Sequence, residues 1–322
     1  MKLNNERQDG TKDDSSSIAD GLTSSPNISN TTVVRSLSEI EVNKIYHGNC
    51  LDVLKTFPDN CIDCCITSPP YWGLRDYEHE QQLGNETHFN DFIENLCNIF
   101  DEVKRVLKNE GTCFINLGDT YGTGSGGGNG AGSKQKTNVG SLFRRDNLKG
   151  FDKCLLMIPE RFAIEMLNRK WILRNEIIWH KPNQMPASVT DRFTVDFEKI
   201  FFFTKKPNYF FEQQLEKSIW AEFDKRSQIK GGRKSNGKTA TGKYATNKVA
   251  YTEGGMRNVR TVWSINTKPC FDGHFATYPQ RLVERMIKAG CPENGIVLDP
   301  FFGSGTTGIY ARNQIEILSA WN

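Results

Sequence analysis

The chain has 322 residues, of which 37% are hydrophobic and 11% aromatic, enough to bury the core of one large domain with an insertion, or of two domains. No apolar run approaches the roughly 20 residues that cross a bilayer, and the N-terminus lacks the apolar core of a signal peptide. We therefore expect a cytoplasmic protein with no membrane partner. The formal charge of +3 at pH 7 is too small to indicate a nucleic-acid binder by itself.

Residues 1–38 are rich in Ser, Thr, Asn and Asp and poor in aromatic residues, which predicts a disordered tail. From residue 39 onward, apolar runs that are typical of buried strands alternate with segments of helical spacing. The predicted strands are 44–50, 62–66, 111–117, 171–179, 197–203 and 295–298, and the predicted helices are 51–55, 89–107 and 159–168. This alternation is typical of a doubly wound α/β sheet.

The chain has nine cysteines, several of which lie inside predicted strands, where a free thiol behaves as a small hydrophobic side chain. Cys61 and Cys64 have the spacing of a metal or redox pair. Because no second pair or His pair follows at metal-site spacing, we expect no metal site.

The first motif, Thr67-Ser68-Pro69-Pro70-Tyr71, follows a predicted strand and has the groups needed to activate an exocyclic amine. Such an amine is a poor nucleophile until acceptors hold its hydrogens out of the ring plane. Ser68 Oγ and the Ser68 carbonyl are suitable acceptors, and the two prolines keep that carbonyl aimed. Tyr71 offers a ring on which a base swung out of the duplex can stack. The predicted catalytic residues are Ser68, Pro69, Pro70 and Tyr71.

The second motif begins with an Asp at a predicted strand tip and continues through small residues into a helix. The glycines let a ligand approach the backbone, and the free N–H groups of a helix start can bind a carboxylate. The motif is neither GxGxxG nor a P-loop, which disfavours a dinucleotide or a nucleoside triphosphate. S-adenosylmethionine fits such a site. The predicted cofactor residues here are Asp299, Phe301, Gly303, Ser304, Gly305 and Thr306.

Two segments interrupt the alternation. Residues 122–136 consist mainly of Gly, Ser and Asn, which predicts a flexible loop that acts either as a lid or as a simple linker. The second segment, 205–265, contains eleven Lys and Arg but only three Asp and Glu between positions 217 and 260. A solvated basic face would look the same, but an insertion of this kind favours a DNA-contacting module. The residues predicted to contact DNA are Lys230, Arg233, Lys234, Lys238, Lys243 and Lys248.

With these motifs in this order, the chain resembles the amino-methylating DNA methyltransferases of the β arrangement, and within them the N4-cytosine-specific type II modification methylases. The resemblance covers about 44–312 and includes four further segments, 46–50, 118–121, 179–183 and 275–279. It implies a Rossmann-like S-adenosylmethionine-dependent fold with a doubly wound mixed sheet and a circularly permuted motif order. The implied parts are a catalytic half at 39–204, a target-recognition insertion at 205–265 and a cofactor-binding half at 266–322. Asn49, Cys50 and Thr67 then join the predicted cofactor residues.

In that family Ser at the first catalytic position accompanies N4-cytosine, and Asp or Asn accompanies N6-adenine. Ser68 therefore favours N4-methylation of a flipped cytosine in double-stranded DNA, with N6-adenine as the alternative. The implied mechanism is direct transfer of the methyl group without a cysteine nucleophile. A cognate restriction endonuclease is the implied functional partner, and the sequence leaves monomer and homodimer equally open.

The end of the chain departs from the family pattern. An acidic residue that binds the ribose is expected at the end of a strand, but Glu316 arrives too early and the chain stops at Asn322. This predicts a shortened C-terminus that exposes a neighbouring strand edge and weakens cofactor binding. It also leaves an alternative function, a DNA-binding remnant without catalytic activity.

Overall fold

The computed structural model describes residues 41–74, 82–122, 148, 150–217, 256–267 and 278–311, and the backbone of 316–321. Its main feature is an eight-stranded sheet in the order β1-β10-β9-β2-β3-β5-β4-β8, beside a two-stranded sheet of β6 and β7. The strands are β1 Lys44–His47, β2 Ile62–Thr67, β3 Leu107–Leu117, β4 Ile172–His180, β5 Phe197–Thr204, β6 Leu215–Lys217, β7 Met256–Asn258, β8 Val262–Ser264, β9 Ile296–Asp299 and β10 Glu316–Trp321.

The helices in the described part of the chain are α1 Cys50–Lys55, α2 Phe89–Val106, α3 Ile158–Asn168, α4 Gln280–Gly290 and α5 Thr306–Ala311. The predicted elements are confirmed to within one or two residues at most boundaries. One predicted strand is too long: β1 ends at His47, because Asn49 caps a helix through a hydrogen bond from the Leu51 N–H, 3.0 Å from Asn49 Oδ1. None of the helices in the described ranges is long and apolar enough to cross a membrane.

The sheet is mixed, as predicted. Strands β1, β10, β9, β2 and β3 run parallel, whereas β5 runs antiparallel to both β3 and β4. From β2 the chain passes through α2 to β3, its neighbour in the direction of β8. From β9 it passes through α5 to β10, its neighbour in the opposite direction, toward β1. The direction of winding therefore reverses between β9 and β2, where doubly wound sheets form a crevice at the carboxyl ends of their strands.

The two faces of the sheet carry separate hydrophobic cores. Helices α1, α2 and α3 pack on one face and α4 on the other. Strand β5 shows the division through its alternation, since Phe201 and Phe203 lie in the first core, and Ile200 and Phe202 in the second. The sheet is thus covered on both faces in the described part of the chain.

The cysteines inside the sheet are part of these cores. Cys64 and Cys65 are fully buried, and burial raises the pKa of both thiols well above the usual value. A thiol that stays protonated is a poor nucleophile, so both residues are structural.

The expectation of an exposed strand edge near the C-terminus is wrong. Strand β10 lies between β1 and β9, with Leu318 opposite both Leu298 and Lys44. Its backbone therefore covers the edge of β9 with parallel pairing on both sides. The tail at 1–38, the loop beyond Gly122 and most of the 205–265 insertion lie outside the described residues.

Gly290, at the end of α4, lies closely packed against β3 of the sheet. A Cβ atom there would lie 2.5 Å from both Phe114 Cε2 and Thr112 Oγ1. We expect Gly290→Ala to lower the free energy of unfolding by about 1–3 kcal/mol through overpacking, measured by urea denaturation. Lys288→Ala in the same helix removes only an exposed pair with Glu284 and should cost well under about 1 kcal/mol. Equal stabilities of the two variants would contradict this packing.

Candidate functional site

Three of the predicted segments meet at the carboxyl edge of the sheet. Strands β1, β9 and β2 run parallel, so the segments that follow them leave from the same edge. These segments begin at Gly48, Pro300 and Ser68. Residues more than 200 positions apart in the chain are thereby brought together.

A buried carboxylate joins the two main motifs. Asp299, at the tip of β9, is 1% exposed and accepts four hydrogen bonds. The donors are Thr67 Oγ1 at 2.6 Å and the Phe301 N–H at 3.1 Å on Oδ1, and Thr307 Oγ1 at 2.6 Å and the Tyr278 hydroxyl at 3.2 Å on Oδ2. Asp299 therefore ties the end of β2 to both ends of the loop that follows β9.

Burial governs the ionisation of this cluster. It raises the pKa of Asp299 above its ordinary value, although the four donors oppose the shift. Burial and the nearby Asp299 charge together raise the pKa of the Tyr278 hydroxyl well above its ordinary value. Tyr278 therefore stays a hydrogen-bond donor at neutral pH, and it also contacts Thr307 Oγ1.

The loop after Asp299 depends on two glycines in left-handed conformations. Gly303 has φ 50° and Gly305 has φ 78°, values that side chains with a Cβ rarely adopt. A Cβ on Gly303 would meet only Phe301 O, at 3.9 Å, so this position borders open space. The Gly305 N–H donates to Phe302 O at 2.8 Å, which closes the turn into α5. The backbone at Gly303 is thus open to a ligand, whereas the backbone at Gly305 is covered by the Phe302 ring.

The side chains of the segment after β1 mainly make contacts within the protein. Asn49 accepts from the Leu51 N–H, and Cys50 is fully buried. Burial raises the pKa of the Cys50 thiol to about 12. The segment therefore holds the start of α1 at the carboxyl edge, and its predicted contact with a cofactor stays a prediction.

The first motif is held by a second polar network. Asn116, at the end of β3, directs Nδ2 toward Ser68 Oγ at 3.4 Å, the Tyr71 hydroxyl at 2.7 Å and Glu198 Oε2 at 2.8 Å. The Tyr71 hydroxyl donates to the same Glu198 oxygen at 2.8 Å. Lys181 forms an ion pair with the other oxygen of Glu198. Four strands, β2, β3, β4 and β5, therefore meet around Ser68 and Tyr71.

The ring of Tyr71 packs directly on backbone. A Cβ on Gly118 would lie 2.4 Å from Tyr71 Cε2, so only glycine leaves space for the ring. The neighbouring Trp72 is buried and donates from Nε1 to Glu86 O at 2.9 Å. The double-proline loop is thus anchored on both sides of its aromatic residue.

Sequence reasoning missed Asn116 and Glu198, and assigned no role to Tyr278. Asn116 ends an apolar strand, and Glu198 is an acidic residue at the start of the apolar strand β5. A polar side chain at the end of a buried strand was the available signal. Pairing of β3 with β5, which brings the two together, is not visible in local sequence.

The predicted DNA contacts cannot be located in the same way. Lys230, Arg233, Lys234, Lys238, Lys243 and Lys248 all lie outside the described residues. The connection from β4 to β5 is described and is highly exposed, with Met185 at 80% and Phe193 at 95%. It is anchored where the Arg192 guanidinium stacks 3.8 Å from the centre of the Tyr121 ring. This places an exposed loop near the rim of the Ser68 network.

Comparison with known proteins agrees with this architecture. Residues 62–316 match the N6/N4 methyltransferase family, described as DNA methylase. The type II methyltransferase M.XycI of Xanthomonas campestris pv. cyanopsidis is 38% identical over 271 residues, covering 84% of this chain and 80% of that relative. M.Cfr9I of Citrobacter freundii is 37% identical, with the same coverage of both proteins. The chain belongs to the N6/N4 DNA methylase family.

Two solved structures show that the fold is also that of this family. PvuII DNA methyltransferase, named cytosine-N4-specific, superposes with a TM-score of 0.57 at 16% identity, covering 86% of this chain and 81% of that one. A putative DNA modification methylase from Thermus thermophilus, complexed with S-adenosyl-L-methionine, has a TM-score of 0.51 at 20% identity and covers 86% and 87%. This DNA methylase thus has the Rossmann-like fold of both solved methyltransferase structures.

Gly118→Ala tests the placement of Tyr71 in this DNA methylase. The added Cβ should displace the ring and break its hydrogen bonds to Asn116 and Glu198. We expect the ring signals of selectively labelled Tyr71 to shift in NMR spectra, while Gly290→Ala, an overpacked glycine on the other face, leaves them in place. Unchanged Tyr71 signals in folded Gly118→Ala would contradict the close packing.

Proposed function

We propose that this DNA methylase transfers a methyl group from S-adenosylmethionine to the N4 amine of a cytosine flipped out of double-stranded DNA. The observation that carries the proposal is the position of Ser68. It directly follows Thr67, which is hydrogen-bonded to Asp299 at the start of the glycine loop. An acceptor for the target amine therefore lies one residue away from the contact that anchors the proposed cofactor loop.

The residues at the β9 end fit the cofactor. The open space beside Gly303 and the left-handed turns at Gly303 and Gly305 form a backbone cradle that side chains would fill. Phe301, Ser304 and Thr306 border the same cradle. Asp299 contributes by shaping the loop, because its oxygens already face protein donors. Asn49, Cys50 and Thr67 extend the proposed site toward β1 and β2.

When bound, the cofactor supplies an electrophilic methyl group on its sulfonium sulfur. The chain must bring the cytosine amine to that methyl group and make its lone pair available. Ser68 Oγ and the Ser68 carbonyl accept the hydrogens of the amine, and Pro69 and Pro70 keep the carbonyl rigid. Ser68 would hold the amine while the bound cofactor supplied its methyl group, and the proton lost from the amine would pass to solvent. Positioning of the reactants supplies most of the acceleration.

The choice of cytosine rests on Ser68, because a hydroxyl can donate as well as accept. It can therefore suit the acceptor N3 of cytosine while it receives a hydrogen from the amine. The name of the PvuII enzyme, cytosine-N4-specific, agrees with this choice for a protein of the same fold. N6-adenine is the alternative that the same motif allows.

The proposed DNA surface combines the basic insertion with the exposed β4–β5 connection. The insertion would neutralise phosphates, and the connection would face the duplex beside the target base. Because M.XycI and M.Cfr9I are named type II methyltransferases, we also propose a role in a restriction-modification system. A cognate endonuclease would then be a functional partner.

The identity of the methylated base is the first test. Genomic DNA from a host without its own DNA methylation, expressing this chain, should contain N4-methylcytosine by nucleoside mass spectrometry. Ser68→Ala should remove the product while leaving S-adenosylmethionine binding unchanged, since the substitution lies outside the glycine loop. N6-methyladenine without N4-methylcytosine would refute the cytosine assignment, and a wild-type chain that binds no cofactor would favour the inactive remnant.

The cofactor loop is tested by Thr307→Val, which removes one donor to Asp299. Thr112→Val is the matched control, because Thr112 is equally buried and donates to Gly290 O at 2.7 Å, on a face away from the glycine loop. Both variants should lose about 1 kcal/mol of stability. Only Thr307→Val should weaken S-adenosylmethionine binding in calorimetry, by about 5- to 30-fold. Equal binding by both variants would contradict the role of the Asp299 cluster.

A further inference from the structure

We propose that Glu198 is a positioning residue for methyl transfer, acting on Ser68 and Tyr71 through Asn116 and through its own carboxylate. The proposal rests on the function proposed above and adds a residue that no catalytic motif in the sequence contains. Glu198 follows Ser68 by 130 residues in the chain. The antiparallel pairing of β5 with β3 brings its side chain to the Ser68 network.

The orientation of Asn116 is evidence that the carboxylate controls the network. Asn116 is 3% exposed, and its Nδ2 faces three acceptors on Ser68, Tyr71 and Glu198. Its Oδ1 is one of the few buried polar atoms in the described residues without a hydrogen-bond partner. A buried acceptor without a partner lowers stability, so another interaction must hold the amide in this orientation.

Glu198 supplies that interaction. If the amide of Asn116 were reversed, its oxygen would lie 2.8 Å from Glu198 Oε2, and two acceptors would repel each other. A hydrogen bond to a charged acceptor is about twice as strong as a neutral one, so the carboxylate selects the orientation with Nδ2 inward. Asn116 Nδ2 is thereby held 3.4 Å from Ser68 Oγ, where it can donate to the hydroxyl oxygen.

Glu198 also fixes Tyr71. The Tyr71 hydroxyl donates a hydrogen bond to Glu198 Oε2 and accepts one from Asn116 Nδ2. Glu198 and Asn116 together therefore orient this hydroxyl. With the ring edge against Gly118, the hydroxyl network holds the plane of the aromatic ring. A ring held in one plane reduces the ordering needed when a base stacks on it.

Lys181 compensates the charge of the partly buried Glu198 carboxylate. Its ammonium pairs with Glu198, and both side chains are less than one-fifth exposed. The ammonium also lies 4.4 Å from the centre of the Trp179 ring. Removal of one partner from such a pair leaves the other uncompensated, so Lys181 offsets the cost of holding the Glu198 carboxylate in this partly buried position.

The test compares Glu198→Gln with Glu165→Gln. Glu165 lies on α3, away from the Ser68 network, and pairs with Arg169 just after that helix, so Glu165→Gln is a carboxylate-to-amide control with the same chemistry. We expect Glu198→Gln to lower kcat for DNA methylation about 10- to 100-fold, with the Kd for S-adenosylmethionine unchanged. Glu165→Gln should keep the wild-type kcat. A wild-type kcat in Glu198→Gln would overturn the proposal.

A double-mutant cycle separates positioning from a general loss of structure. Tyr71→Phe removes only the hydroxyl that donates to Glu198. If Glu198 acts through this network, the double variant should lose no more kcat than the more impaired single variant, whereas independent effects would multiply. Multiplying effects, or a Glu198→Gln variant that loses cofactor binding, would overturn the role. A wild-type chain that binds cofactor but transfers no methyl group would contradict the proposed function instead.

Discussion

The hydrogen bonds of the buried Asp299 carboxylate are the constraint on which the rest of the site depends. Thr67 ends one strand and Thr307 lies in the helix after the other, and both donate to the same side chain at 2.6 Å. Parallel pairing of Cys65 with Leu298 sets the register that makes these contacts possible. The start of the proposed catalytic loop is therefore fixed relative to the proposed cofactor loop by one side chain.

A second, partly buried carboxylate, that of Glu198, organises the proposed target side in a different way. Asp299 is surrounded by neutral donors, whereas Glu198 is paired with Lys181 and shared by Asn116 and Tyr71. Neutral donors suit a residue that only shapes a loop. A charged pair is costly to bury, so its presence beside Ser68 favours a role in orientation rather than in stability.

Much of the fold could be predicted from the sequence, because strands buried on both faces are continuous apolar runs and α2 has regular helical spacing. The convergence of Ser68 and Asp299 could also be predicted, since parallel strands end at the same edge. The pairing of β10 between β1 and β9 could not be predicted from the family pattern, because Glu316 did not match it. Pairing depends on backbone hydrogen bonds, which that mismatch does not remove.

The polar network around Ser68 was likewise beyond local sequence reasoning, because Glu198 and Asn116 become neighbours only through the antiparallel pairing of β5 with β3. The DNA contacts proposed between Lys230 and Lys248 stay predictions, as does the loop at 122–136.

We expect the proposed cofactor loop after β9 and the proposed catalytic loop after β2 to face each other. The most direct measurement uses S-adenosylmethionine with a 13C-labelled methyl group bound to the chain, and records nuclear Overhauser effects from that methyl group. We expect cross-peaks to the side chains of Ser68 and Tyr71. Saturable binding of the cofactor with cross-peaks to neither side chain would contradict it.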